Sequence, residues 1–120
     1  MPLAIATSAL RIGVENKLRI LGIQAFFDVI ITADDTREHK PHPESYVTAM
    51  KRLGVDPSRS IVFEDSLADV EAGKAAGAIV VGFIKYSPEK IDLPGVALTI
   101  DDWDQIDYEK LNELVANYKK

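Results

Sequence analysis

Short apolar runs that stop at polar motifs and give way to helix-period segments recur along this chain, and that alternation restricts its fold more than any other feature. Leu3-Ala4-Ile5-Ala6 runs into Thr7-Ser8, after which Leu10, Val14, Leu18 and Leu21 follow at helical spacing until Gly22. Val29-Ile30-Ile31 is a second strand. The polar stretch from Asp34 to Pro43 is a loop by composition, and its prolines at 41 and 43 hold the residues before them extended. Glu44 to Leu53 has one apolar face, marked by Tyr46, Val47, Met50 and Leu53, and Gly54 closes it. Asp56-Pro57-Ser58 is a turn. Ile61-Val62-Phe63 is a third strand, ending in Glu64-Asp65. Ser66 then opens a helix that runs to Ala76 and ends at Gly77. Ala78 to Gly82 is a fourth strand, Pro88 to Pro94 a loop and Val96 to Ile100 a fifth strand. Tyr108, Leu111, Leu114, Val115 and Tyr118 mark a closing amphipathic helix.

Strands alternating with helices predict an α/β fold of Rossmann-like type, a three-layer α/β/α arrangement on a parallel sheet, with residues 1–120 as a single domain. In such folds ligands bind beyond the carboxyl ends of the strands. Thr7-Ser8, the Asp34 to Lys40 stretch and Glu64-Asp65 each follow a strand, so they are expected at one edge of the sheet.

A net charge of −5 and a pI near 5.0 argue against a phosphate-backbone binder, since nucleic-acid binding usually needs a basic face. The absence of cysteine excludes disulfides and thiolate metal sites and suits a reducing compartment. No run is long and apolar enough to span a bilayer, and Met1-Pro2-Leu3 does not begin a signal peptide. A soluble, cytoplasmic protein is expected.

A hydroxyl pair, an ammonium and a carboxylate cluster gathered at one sheet edge suit phosphate chemistry. Thr7 and Ser8, near the start of a helix, can donate hydrogen bonds to phosphate oxygens, and Lys40 adds a point charge. Glu64 and Asp65, with Asp69 one turn on, are hard oxygen ligands of the type Mg²⁺ prefers. Each feature also has an ordinary structural role. Ser66-x-x-Asp69 is a capping pair, Thr7 or Ser8 taken alone is more often a helix N-cap, and Lys40 alone is more often a solvated loop lysine. His39 and His42 lack a third ligand of matching type and read as loop residues. Asp34-Asp35 is open to contact with a metal but reads first as a solvated loop, and Asp101-Asp102-Trp103-Asp104 reads as a polar turn with Asp104 or Asp107 capping the last helix.

Taken together the motifs resemble the haloacid dehalogenase superfamily, in particular its phosphoglycolate phosphatase and β-phosphoglucomutase branch. Leu3 to Ser8 resembles the second motif of that superfamily, a strand ending in a phosphate-binding Thr or Ser. His39-Lys40-Pro41-His42-Pro43-Glu44 resembles the third, whose lysine contacts nucleophile and phosphate. Val62 to Ser66, followed by Ala72-Gly73-Lys74-Ala75-Ala76-Gly77, resembles the fourth, which binds Mg²⁺, and Asp69 fits a variant with a second aspartate four positions on. The resemblance implies catalytic roles for Lys40 and Thr7, phosphate binding by Thr7, Ser8 and Lys40, and a metal held by Glu64, Asp65 and Asp69. It also implies a Mg²⁺-dependent phosphatase or phosphomutase acting on a small phosphorylated metabolite.

The first motif of that superfamily, an Asp-x-Asp at the end of an N-terminal strand that supplies the nucleophile and the acid/base, has no counterpart at the start of this sequence. Neither has the usual cap domain. In the superfamily that strand lies between those carrying the second and fourth motifs. The resemblance therefore implies an incomplete core with two open strand edges, inactive until an N-terminal half supplies the aspartate. A partner half, self-association through those edges, or direct pairing of the strands they belong to are the arrangements open to it. The alternative function is a catalytically dead module that binds phosphate, metal or protein. A receiver domain has similar residue types, but it places its acids first and its lysine last, opposite to the order here.

Overall fold

The computed structural model describes residues 1–85 and 95–118; the loop expected from Pro88 to Pro94 lies outside them. The described elements run β1 (Ala4–Ala6), α1 (Arg11–Leu21), β2 (Val29–Ile31), α2 (Glu44–Leu53), β3 (Ile61–Glu64), α3 (Leu67–Ala75), β4 (Ile79–Phe83), β5 (Leu98–Ile100) and α4 (Tyr108–Asn117). This is a Rossmann-like α/β fold in which every described strand pairing is parallel. The helix ends follow the expected chemistry. Gly22 and Gly54 adopt φ of 70° and 71°, and each donates its N–H to a carbonyl of the last turn. Ser66 caps α3 by accepting from the Asp69 N–H, and Asp107 caps α4 by accepting from the Lys110 N–H.

The sheet departs from a single continuous one. Among the described residues the strands form two groups, β2-β1 and β3-β4-β5, and β1 is not hydrogen-bonded to β3. The arrangement in which these two strands pair directly is therefore not the one adopted. Both groups nevertheless rest on one core. Tyr46 and Met50 of α2 meet Ala72 and Ala76 from α3 and its end, together with Ala78, and Ala6 of β1 and Val62 of β3 pack against that cluster. The contact between α3 and β4 is close enough that a Cβ on Gly73 would lie 2.9 Å from Val80 Cγ2.

Two helices bury less than their sequence stripes suggest. In α1 only Val14 and Leu18 are buried, while Leu10 and Leu21, at the two ends of the stripe, are 63% and 67% exposed. The strands of the adjoining β1-β2 pair are three residues long, too short to cover three helical turns. In α4 Tyr108 faces solvent, whereas Tyr118, just past the helix end, donates its hydroxyl to the Gly77 carbonyl at 3.3 Å. Among the described residues no helix is long and apolar enough to cross a membrane.

Candidate active site

The carboxyl ends of β1 and β3 meet at Lys40. Its Nζ donates to the Ala6 carbonyl at 3.2 Å, and lies 3.4 Å from Glu64 Oε1 and 3.3 Å from Asp69 Oδ1. The side chain is only 10% exposed, so this is not a solvated loop lysine. A cis Lys40–Pro41 peptide follows it, and the Nδ1 atom of His42 accepts the Glu44 N–H at the start of α2. The Glu44 carboxylate reaches back to the Arg37 and Glu38 N–H groups at 3.1 and 2.7 Å. The loop presenting Lys40 is thereby tied to the first turn of the helix that follows.

The three acids expected to hold a metal come together. Glu64, Asp65 and Asp69 each offer a carboxylate oxygen, and these oxygens lie within 4.8 Å of one another. Their environments differ. Asp65 is exposed, and its carboxylate has no partner among the described residues. Asp69 accepts the Ser66 hydroxyl at 2.8 Å, so the capping pair takes the form of a side-chain bond plus a single backbone bond. Glu64 is pulled furthest from water. Its carboxyl is pushed up to about 8 by burial, an effect opposed by the Lys40 ammonium and reinforced by the neighbouring Asp69 charge. Acids crowded in this way favour the arrival of positive charge, and three hard oxygens at this spacing fit a divalent cation such as Mg²⁺.

Thr7 directly follows Ala6, whose carbonyl receives Lys40, so the hydroxyl pair lies at the same strand end. Neither Thr7 nor Ser8 caps α1. The helix starts at Arg11, Leu10 takes the cap position without a side-chain bond, and the Thr7 hydroxyl instead accepts the Ala9 N–H at 3.1 Å. Their exclusion from the cap has a simple cause: the turn after β1 occupies three residues, Thr7, Ser8 and Ala9, and is pinned to the neighbouring strand end through Ala33 N–H to Ala9 O at 2.9 Å.

The reading of one acidic pair changes. Asp35 is not a solvated loop residue. It accepts from the Thr32 N–H at 2.8 Å, from the Thr32 hydroxyl at 3.0 Å and from Arg11 at 2.6 Å, and these donors hold its carboxyl below the usual range. It closes a reciprocal cap over the turn after β2 and lies outside the carboxylate cluster. The acidic stretch after β5 is a polar turn as expected, with Asp107 capping α4; Asp102 caps the turn itself, and Trp103 stacks on Phe83 at 4.5 Å between ring centroids.

Sequence reasoning missed Tyr46. Placed on the apolar face of α2, it is 5% exposed and does belong to the core, but its hydroxyl donates to Glu64 Oε1 and its ring lies 4.8 Å from Lys40 Nζ. The available signal was the hydroxyl itself, since a buried tyrosine needs a partner for it.

Comparison with known proteins identifies the family. A family model for haloacid dehalogenase-like hydrolases matches residues 1–83. The chain is 48% identical over 82 residues to validoxylamine A 7'-phosphate phosphatase of Streptomyces hygroscopicus subsp. limoneus, covering 68% of this chain and 38% of that protein. It is 46% identical over 80 residues to the pyrophosphatase PpaX of Bacillus velezensis, covering 67% and 37%. Among solved structures, a family IA hydrolase of this type from Entamoeba histolytica superposes with a TM-score of 0.87 at 32% identity, over 97% of this chain and 54% of the other. A β-phosphoglucomutase from Clostridium difficile gives 0.81 at 30%, over 98% and 50%. The chain thus spans under two-fifths of the length of these curated relatives and about half of the solved chains. With its matched residues carrying both Lys40 and the three clustered acids, the chain belongs to the haloacid dehalogenase-like hydrolase family.

Proposed function

We propose that this chain is the C-terminal part of a Mg²⁺-dependent phosphatase or phosphomutase of this family, acting on a small phosphorylated metabolite, with the aspartate nucleophile supplied by an N-terminal half. One observation carries the reading: Lys40 bridges the ends of β1 and β3, and among the described residues the facing edges of those strands are unpaired. Phosphatases and a phosphomutase among the similar proteins support the substrate class.

In this reading Lys40 binds the transferring phosphoryl group from one side, and the Thr7 and Ser8 hydroxyls donate to its oxygens from the end of β1. Glu64 and Asp65 hold the metal, with Asp69 as a further ligand that also caps α3. Bound Mg²⁺ would supply positive charge to offset that of the phosphate. Before any ligand arrives Lys40 also offsets the Asp69 charge, and that of Glu64 once it is ionised.

The test is p-nitrophenyl phosphate hydrolysis with Mg²⁺, first by the 120-residue chain and then after adding the N-terminal part of a family member in trans. Near-zero turnover alone and metal-dependent turnover on addition is the expected pair of results. Turnover by the chain alone, abolished by Asp65→Asn, would defeat the dependence on a second half. Calorimetric binding of Mg²⁺ and phosphate without turnover in either case would establish the binding-module alternative instead.

A further inference from the structure

We infer that Tyr46 is a positioning residue that ties the phosphate-facing lysine to the metal-facing carboxylates. The inference rests on the function proposed above and adds a residue to its machinery. Three contacts form a closed triangle: the Tyr46 hydroxyl donates to Glu64 Oε1, the Tyr46 ring lies 4.8 Å from Lys40 Nζ, and Lys40 Nζ lies 3.4 Å from the same Oε1 atom. The three residues come from different parts of the chain. Lys40 is in the loop after β2, Tyr46 in the first half of α2 and Glu64 at the last position of β3.

Tyr46 is fixed in a way the other two are not. It is 5% exposed and surrounded by Met50, Ala72, Ala76 and Ala78, on the core that both strand groups share. Packing therefore sets the ring, and the ring and hydroxyl set the two charged groups. A cation at this distance from an aromatic ring is attracted to the negative face of the π-system. A hydroxyl donating to one oxygen of a carboxylate fixes the rotation of the whole group, as outer-sphere partners of metal ligands do. Phenylalanine would supply the first contact without the second, and leucine would supply neither. Oε1 is engaged by both Tyr46 and Lys40, so Tyr46 acts with Lys40 in setting which Glu64 oxygen is left for a cation.

The test uses the 120-residue chain with Tyr46→Phe and Tyr46→Leu. In metal-free proton and carbon NMR, the Lys40 ε-methylene should be shifted upfield by the ring in the unsubstituted chain and in Tyr46→Phe, but not in Tyr46→Leu. The Glu64 carboxyl carbon should move in both variants. By calorimetry Mg²⁺ should bind about tenfold more weakly to Tyr46→Phe, the low end of the usual loss for an outer-sphere partner. An ordinary Lys40 shift in the unsubstituted chain would overturn the inference whatever the metal does, and so would Mg²⁺ binding to the unsubstituted chain that is matched in affinity by Tyr46→Phe. If the unsubstituted chain bound no Mg²⁺ while the NMR pattern held, the tie through Tyr46 would stand and the metal reading of the site would fall.

Discussion

β3 and β4 are neighbours with similar apolar sequences, Ile-Val-Phe-Glu and Ile-Val-Val-Gly-Phe, yet they occupy different environments. Four of the five β4 residues are buried, whereas every β3 residue is only partly so. The difference is one of neighbours. β4 is flanked by β3 and β5, while β3 pairs with β4 alone among the described residues. An apolar run that reads as a buried central strand can therefore end up half-open, because the sheet rather than the strand determines its burial. The half-open strand is also the one that ends in the site.

Substitution of the facing pair Ile61 and Ile79, which are opposite each other in register, tests this contrast most strongly. Ile79 is 1% exposed, so Ile79→Ala should cost about 2–5 kcal/mol of unfolding free energy. Ile61→Ala, with less area to lose, should cost about half as much. Urea titration of both variants provides the comparison. Equal losses would mean that the open edge of β3 is covered in solution, by a second copy or by another segment.

Gly73→Ala probes the covered side of the same two strands. The added methyl would meet Val80 Cγ2 at 2.9 Å and Val62 Cγ1 at 3.5 Å. A β4 that cannot give way, held on both sides, should make this substitution cost about 1–3 kcal/mol despite the higher helix propensity of alanine. A neutral or stabilising effect in the same urea assay would show that α3 can shift away from the sheet.

Much of this was legible from sequence, for reasons that separate local from distant determinants. The strand at Val29–Ile31, the glycine stops of α1 and α2 and the Ser66 cap depend on a few adjacent residues and lie where the pattern puts them, while the strand expected from Ala78 to Gly82 lies one residue later, at Ile79–Phe83. The clustering of Glu64, Asp65 and Asp69 followed from their spacing on a strand end and one helical turn. Distant partners were not legible in this way. The capture of Asp35 by Arg11 spans 24 residues, and the bond from Tyr46 to Glu64 spans 18. Nothing in either local pattern names the other partner. The division of the strands into two groups was expected only through family resemblance, since periodicity alone predicts one continuous sheet.

A pH-dependent effect concerns the last register pair of the two strands, Glu64 opposite Gly82, of which only the β3 member titrates. Burial raises the Glu64 carboxyl from 4.5 to about 8 in the folded chain. Between those values the folded chain holds a proton that the unfolded chain releases, so this group makes stability fall as pH rises. In metal-free buffer the urea midpoint should therefore decline across that window, and Glu64→Gln should remove that part of the slope. A metal held as proposed needs the ionised carboxylate, so any stabilisation by added Mg²⁺ should be greater near the upper end of the window than near the lower. If Glu64→Gln left the pH slope unchanged, Glu64 would have to be as well hydrated as an exposed acid. The half-open end of β3 would then be fully open to water, and the contrast with β4 larger than the burial of its side chains indicates.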